Sequence, residues 1–202
     1  ISESTSAIQL YPDRLQPYAL IFETLLIGGN PGEVEVRAGE LLNKEGVSLQ
    51  PAEQQQLHYL LAKSFYIQQK LDQAQSELDY IKSNFKSLGL NEKLLQADIF
   101  LAKGDATSAE QQLSSILAES PNNSEATLGL SKVAFINKQP EQAKEIVTRI
   151  TDSENPTTDA WLWKARLSHM GQQYSEAEES YVRALEDLSQ VDTMTPQKYS
   201  TI

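Results

Sequence analysis

Slid against itself by 34 residues, the chain comes back into register, and no other feature limits its fold so tightly. With residue 158 as position 1 of a unit, Trp161 falls at position 4, Ala165 at 8, Ala177 at 20, Tyr181 at 24 and Ala184 at 27. The unit that opens at 124 places Ser131 at 8, Ala143 at 20, Val147 at 24 and Ile150 at 27. The unit at 90 gives Ala97 at 8, Phe100 at 11, Ala109 at 20, Leu113 at 24, Ile116 at 27 and Pro121 at 32. One residue further back, the unit at 55 gives Leu61 and Ala62 at 7 and 8, Phe65 at 11, Ala74 at 20, Leu78 at 24 and Ile81 at 27. One such match would describe any amphipathic helix hairpin; four in phase describe an array. Small residues at two fixed places let two helix axes approach, and the bulky residues beside them fill the flanking grooves.

Breakers divide each unit into two helices. The pattern predicts pairs over about 55–69 and 71–83, 91–103 and 106–119, 124–137 and 140–151, and 158–171 and 174–188. Turns are expected at "KG" (103–104), "KQP" (138–140) and "MGQQ" (170–173), with "SPNNSEA" and "SENPTTDA" between units. Asp72, Asp105, Pro140 and Ser175 suit first-turn or capping places, where they satisfy or dispense with an orphan amide.

This pattern resembles the tetratricopeptide repeat family: a large residue at position 4, Leu at 7, Gly or Ala at 8, an aromatic at 11, Ala at 20, a large apolar residue at 24, Ala at 27 and often Pro at 32. The resemblance implies an all-α, right-handed superhelical solenoid of antiparallel helix pairs. It covers residues 55–191 as four repeats: 55–89, 90–123, 124–157 and 158–191.

Residues 1–54 fit less well. Helices are expected over about 15–28 and 32–43, in a unit opening at 15 with Tyr18 at position 4, Ile21 at 7, Phe22 at 8, Leu25 at 11, Val34 at 20, Ala38 at 24 and Leu41 at 27. Phenylalanine at 8 and valine at 20 depart from the pattern, and the link "NKEGVSLQPAEQ" is about six residues too long, so this reads as a divergent pair, splayed or twisted. Residues 1–11 read as the second helix of a truncated repeat, and 192–202 as the start of a further one. Exposed ends of an array expose apolar helix faces, so weak self-association through them is expected.

Composition excludes several classes. The net charge is −11, with 17 Lys and Arg scattered among 28 acids, which argues against nucleic acid and anionic membrane surfaces. The longest apolar stretch, "ALIFETLLIGG", contains Glu23 and ends in glycine, so no transmembrane segment is expected. There are no cysteines, which removes disulfides, thiolate metal sites and thiol chemistry. His58 and His169 lie far apart, each alone on a helix, and read as structural or surface residues rather than metal ligands. The carboxylates of "GEVEVRAGE" and "SEAEES" read as solvated helix faces, and "GGNPG" (28–32) as a turn, since it lacks the strand and the Lys-Ser/Thr ending of a phosphate loop. No catalytic, cofactor or metal site is expected, and the chain does not read as an enzyme.

A binding face follows from the resemblance, which implies that first-helix positions 5, 9 and 12 line a concave groove. Position 5 gives Tyr59, Leu94, Leu128 and Leu162; position 9 gives Lys63, Asp98, Lys132 and Arg166; position 12 gives Tyr66, Leu101, Phe135 and His169. An apolar floor with one charge per repeat suits an extended peptide or a docked helix; the alternative is that the position-5 leucines simply pack inside the solenoid. Chaperone-binding relatives clamp a C-terminal carboxylate with paired basic residues, and that pairing is absent here. The expected function is a non-catalytic interaction scaffold for a protein or peptide. The Gln-rich, Cys-free helices resemble bacterial members, exported and lipid-anchored ones included, which places envelope or export assembly slightly ahead of the cytoplasm. The alternatives are a regulatory repeat domain cut from a larger enzyme and a self-association module.

Overall fold

The computed structural model describes residues 15–43, 49–85 and 87–192. Ten α-helices and no strand occur among them. The chain divides into two units, the boundary falling between Lys103 and Gly104.

The first unit contains α1 (Leu15–Ile27), α2 (Pro31–Leu42), α3 (Pro51–Ile67), α4 (Leu71–Asn84) and α5 (Leu90–Ala102). Its core gathers Phe22, Val34, Leu57, Leu60, Leu78, Ile81 and Ile99. The second unit contains α6 (Ala106–Glu119), α7 (Ser124–Ile136), α8 (Pro140–Thr151), α9 (Thr158–Met170) and α10 (Tyr174–Asp192). Helix α8 shows why these segments fold as they do. Its Ala143, Ile146, Val147 and Ile150 recur at helical spacing and are all buried, while Glu141 and Arg149 stay outside.

The small positions are buried: Ala62, Ala97 and Ala165 at position 8, and Ala74, Ala109, Ala143 and Ala177 at position 20. Gly129 on α7 stands close to its neighbour: a Cβ there would stand 2.7 Å from the Leu113 side chain of α6. In the divergent pair, Phe22 and Val34 are wholly buried, and so is Ala38 at position 24, where Leu78, Leu113 and Val147 stand in other units. Bulk has moved from position 24 to position 8, so the interior is filled by exchange.

The turn inside each unit is common to all five. Gly29, Gln69, Gly104, Lys138 and Gln172 each fall at position 15, and each has a positive φ, between 59° and 76°. At Gln69 the backbone amide donates to the Tyr66 carbonyl and the next amide, of Lys70, reaches back to Phe65; Lys138 and Gln172 repeat this with their neighbours. This is the Schellman closure of a helix end. Only two of the five residues are glycines, so the fold imposes the left-handed turn on three side chains that resist it.

Helix ends depart from expectation in two places. Helix α3 starts at Pro51 rather than near 55, with Glu53 accepting from the Gln50 amide at 2.8 Å, so part of the long link is helix. Helix α10 runs on to Asp192, where a further unit was expected to open. Asp105 caps α6, accepting from the Ser108 amide, and Asp72 lies in the first turn of α4, both as expected; Asp72 also accepts from Lys103. The helix expected within 1–11 and the segment 193–202 lie outside the described residues.

Candidate interaction surface

Each unit is described by itself. In the first, Tyr59 and Tyr66 of α3 are half-buried, packed on the core, and Lys63 between them is exposed. Leu94, Asp98 and Leu101 of α5 are half-buried. The Tyr66 phenol is pushed above its ordinary value, mainly by burial and further by the Asp98 carboxylate. Position 12 of one repeat thus feels position 9 of the next, and Tyr66 stays a neutral donor and acceptor at physiological pH.

In the second unit, Leu128 is buried on α7, so at this repeat the position-5 leucine belongs to the core. Leu162 is half-buried, Lys132 and Phe135 are partly exposed, and Arg166 and His169 of α9 are exposed. Phe135 meets the Trp163 ring edge-on, with centroids 5.5 Å apart and planes at 88°. The indole Nε1–H donates to Ser131 Oγ at 2.9 Å, and that hydroxyl donates to the Ala143 carbonyl at 2.5 Å. His169 lies beside Tyr174, ring centroids 5.6 Å apart. Trp163 and Tyr174 fall at positions the family pattern does not mark for the groove, so the pattern alone missed them; their aromatic character beside Leu162 and after His169 was the available signal. Glu178 and Glu179 are exposed on α10.

Polar contacts tie successive repeats together. Lys70 and Gln68 both donate to Glu35, at 2.7 and 3.0 Å, and Lys144 donates to Glu176 and to Gln173. Position 21 of one unit (Glu35, Lys144) meets position 16 of the next (Lys70, Gln173), and Glu176 stands at position 19. The hydrogen bond from Lys70 holds the Glu35 carboxyl below its usual value, and the one from Lys144 does the same to Glu176. Such partly exposed pairs add little stability, so the buried alanines and aliphatics carry the packing. His58 is a structural residue: it is buried at position 4, with Nδ1 2.6 Å from Glu77 Oε2 and its ring 4.1 Å from that of Tyr80. Among the described residues no cluster of three His, Asp or Glu could hold a metal ion, and no helix is long and apolar enough to cross a membrane.

Residues 100–167 match the family model described as Tetratricopeptide repeat. That segment carries the tetratricopeptide repeat, and the helix pairs on either side continue the same all-helical fold. Solved structures agree on the fold. One from Parabacteroides merdae is 15% identical with a TM-score of 0.76, over 91% of this chain and 69% of that one. A thermophilic repeat protein of Thermus thermophilus is 15% identical with a TM-score of 0.70, over 86% and 91%. MamA of Desulfovibrio magneticus is 15% identical with a TM-score of 0.56, over 88% and 97%. No protein with a curated description matches the chain.

Proposed function

We propose that this protein is a non-catalytic scaffold that binds a peptide or protein surface on the exposed side of its first helices. The observation that carries this reading is the arrangement in the second unit, where Phe135 and Trp163 present a partly exposed aromatic edge and Arg166 and His169 stand exposed on the helix that bears Trp163. Aromatic and arginine side chains supply most of the binding energy at protein interfaces. In the first unit Tyr59, Tyr66 and Lys63 repeat the theme on α3. The setting we attach to the scaffold is bacterial envelope or export assembly, on the strength of its Gln-rich, Cys-free composition.

The test is selection of displayed peptides on the whole chain, followed by affinity measurement on two variants. Lys132→Glu with Arg166→Glu is expected to weaken the selected peptides by roughly tenfold or more. Glu178→Lys with Glu179→Lys, on α10, is expected to leave them bound. The reverse result would move the site to the second helices and end this reading.

Self-association is a second reading with an observation of its own. Tyr181, Leu185 and Leu188 recur at helical spacing on α10 and are 38%, 65% and 50% exposed. Sedimentation over a concentration range decides it: a species that stays monomeric removes it.

A further inference from the structure

Position 4 carries a ring in three of the five units, Tyr18, His58 and Trp161; Lys93 and Thr127 hold it in the other two. In the unit at 55 the ring is part of a plug. His58 lies 4.1 Å from Tyr80, and Tyr80 lies 6.3 Å from Phe85, all at the end of the hairpin where the first helix begins and the second stops. In the unit at 158, Trp161 stands at the same place with the Lys164 ammonium 5.5 Å from its ring centroid. The unit at 124 has Thr127, Arg149 and Glu154 at the three positions that His58, Tyr80 and Phe85 occupy in the unit at 55. None of them is a ring. An open cleft of about 730 Å3 remains, floored by Leu117, Leu130, Ile146 and Ile150. Its volume is in the range of a ligand site, and its lining mixes these aliphatic side chains with polar ones.

We infer that this cleft, between the start of α7 and the end of α8, is a second docking site that receives an aromatic side chain from a partner polypeptide. The choice of an aromatic occupant rests on the repeat register, in which the positions equivalent to Thr127 carry the rings of His58 and Trp161. Arg149 stands at the rim, exposed and without an ion pair among the described residues, where it can lie over the face of the incoming ring as Lys164 does over Trp161. The amides of Asn122 and Asn155 at the edge can take the flanking peptide backbone. The site is built from positions outside the first-helix face, so it stands whether or not that face binds.

Methyl NMR of the whole chain tests the inference, with N-acetyl-tryptophanamide as probe and N-acetyl-leucinamide as control. The tryptophan amide is expected to shift the Leu130, Ile146 and Ile150 methyls saturably, with a dissociation constant on the order of a millimolar and roughly tenfold tighter than the leucine amide. Thr127→Trp would fill the cleft from within, raise the melting temperature and abolish these shifts; Thr127→Tyr serves if the larger ring does not fold. Absence of shifts at these methyls in the native chain overturns the inference. So does equal binding of the two amides, or persistence of the shifts in a folded, ring-filled variant.

Discussion

Ser131 offers a contest between two effects of known size. Position 8 is alanine in the units at 55, 90 and 158, and alanine is the better helix former by about 0.5 kcal/mol, so propensity alone makes Ser131→Ala stabilising. The structure reverses the sign. Ser131 is wholly buried, accepts from the Trp163 indole and donates to the Ala143 carbonyl. Alanine would leave the indole N–H without its acceptor, at about 1–3 kcal/mol for a buried donor and toward the lower end here, since Trp163 is only partly buried. The Ala143 carbonyl suffers less, because it lies within α8. The net expectation is a loss of about 1 kcal/mol, or roughly 2–4 °C in melting temperature for a chain of this length. Trp163→Phe removes the donor, so the double variant should lose less than the sum of the single ones, by about 1 kcal/mol. Urea unfolding read by tryptophan fluorescence suits the measurement, since both tryptophans lie in the second unit and repeat arrays need not unfold as one. Stability of Ser131→Ala at or above that of the native chain, or a cycle additive within about 0.3 kcal/mol, would refute the reasoning.

Two further expectations follow from the backbone and the ion pairs. Lys138→Gly and Gln172→Gly should each stabilise by roughly 0.5–1 kcal/mol, because release from a left-handed conformation outweighs glycine's entropy; Gly104→Ala should lose about 1 kcal/mol although its added Cβ meets nothing within 4 Å, and equal melting temperatures would contradict both. The Glu176 carboxyl is held low by its hydrogen bond from Lys144, so its contribution is complete above the ordinary glutamate value of 4.5 and disappears as pH falls through the lower folded value. Lys144→Met should therefore flatten the decline of the urea midpoint below that pH, and a decline as steep as in the native chain would show that the pair does not couple to folding.

Local periodicity made the helices legible, and long-range pairing made the rest opaque. The alanines at positions 8 and 20 announced close helix contacts because a small residue recurring every 34 positions has few other uses, and Ala62, Ala74, Ala143 and Ala165 are indeed buried. The turns were readable from "KG" and "KQP", yet nothing in Gln69, Lys138 or Gln172 signals a positive φ; the demand comes from closing the helix end, and side chains there yield to it. Pro51 fell in the link because the 34-residue register opens the unit at 55, whereas proline suits the first helical position, where its missing amide does no harm. The exchange between Phe22 and Ala38 and the approach of Tyr66 to Asp98 each join residues on different helices, which no single-helix pattern can express. Of the groove, the pattern supplied first-helix positions but not Trp163, whose place beside Phe135 depends on how α9 lies against α7.

What a repeat shares with its neighbours specifies the array, so chemistry peculiar to one place must sit where a repeat departs from them. Ser131 and Thr127 are two such departures, in one helix. At Ser131 the departure is satisfied inside the protein, because a hydroxyl at a small-residue position finds an acceptor in its own repeat and a donor in the next. At Thr127 the hydroxyl is satisfied within its own helix, by the Asn123 carbonyl, and an open cleft lies beside it, lined by Leu130, Ile146 and Ile150. A buried polar substitution with all its partners present costs the fold little and adds specificity. An open cleft leaves its aliphatic lining short of packing partners on one side. The asymmetry between the two sites is thus physical, and it singles out the Thr127 cleft, rather than Ser131, as the place where a partner has something to gain by binding.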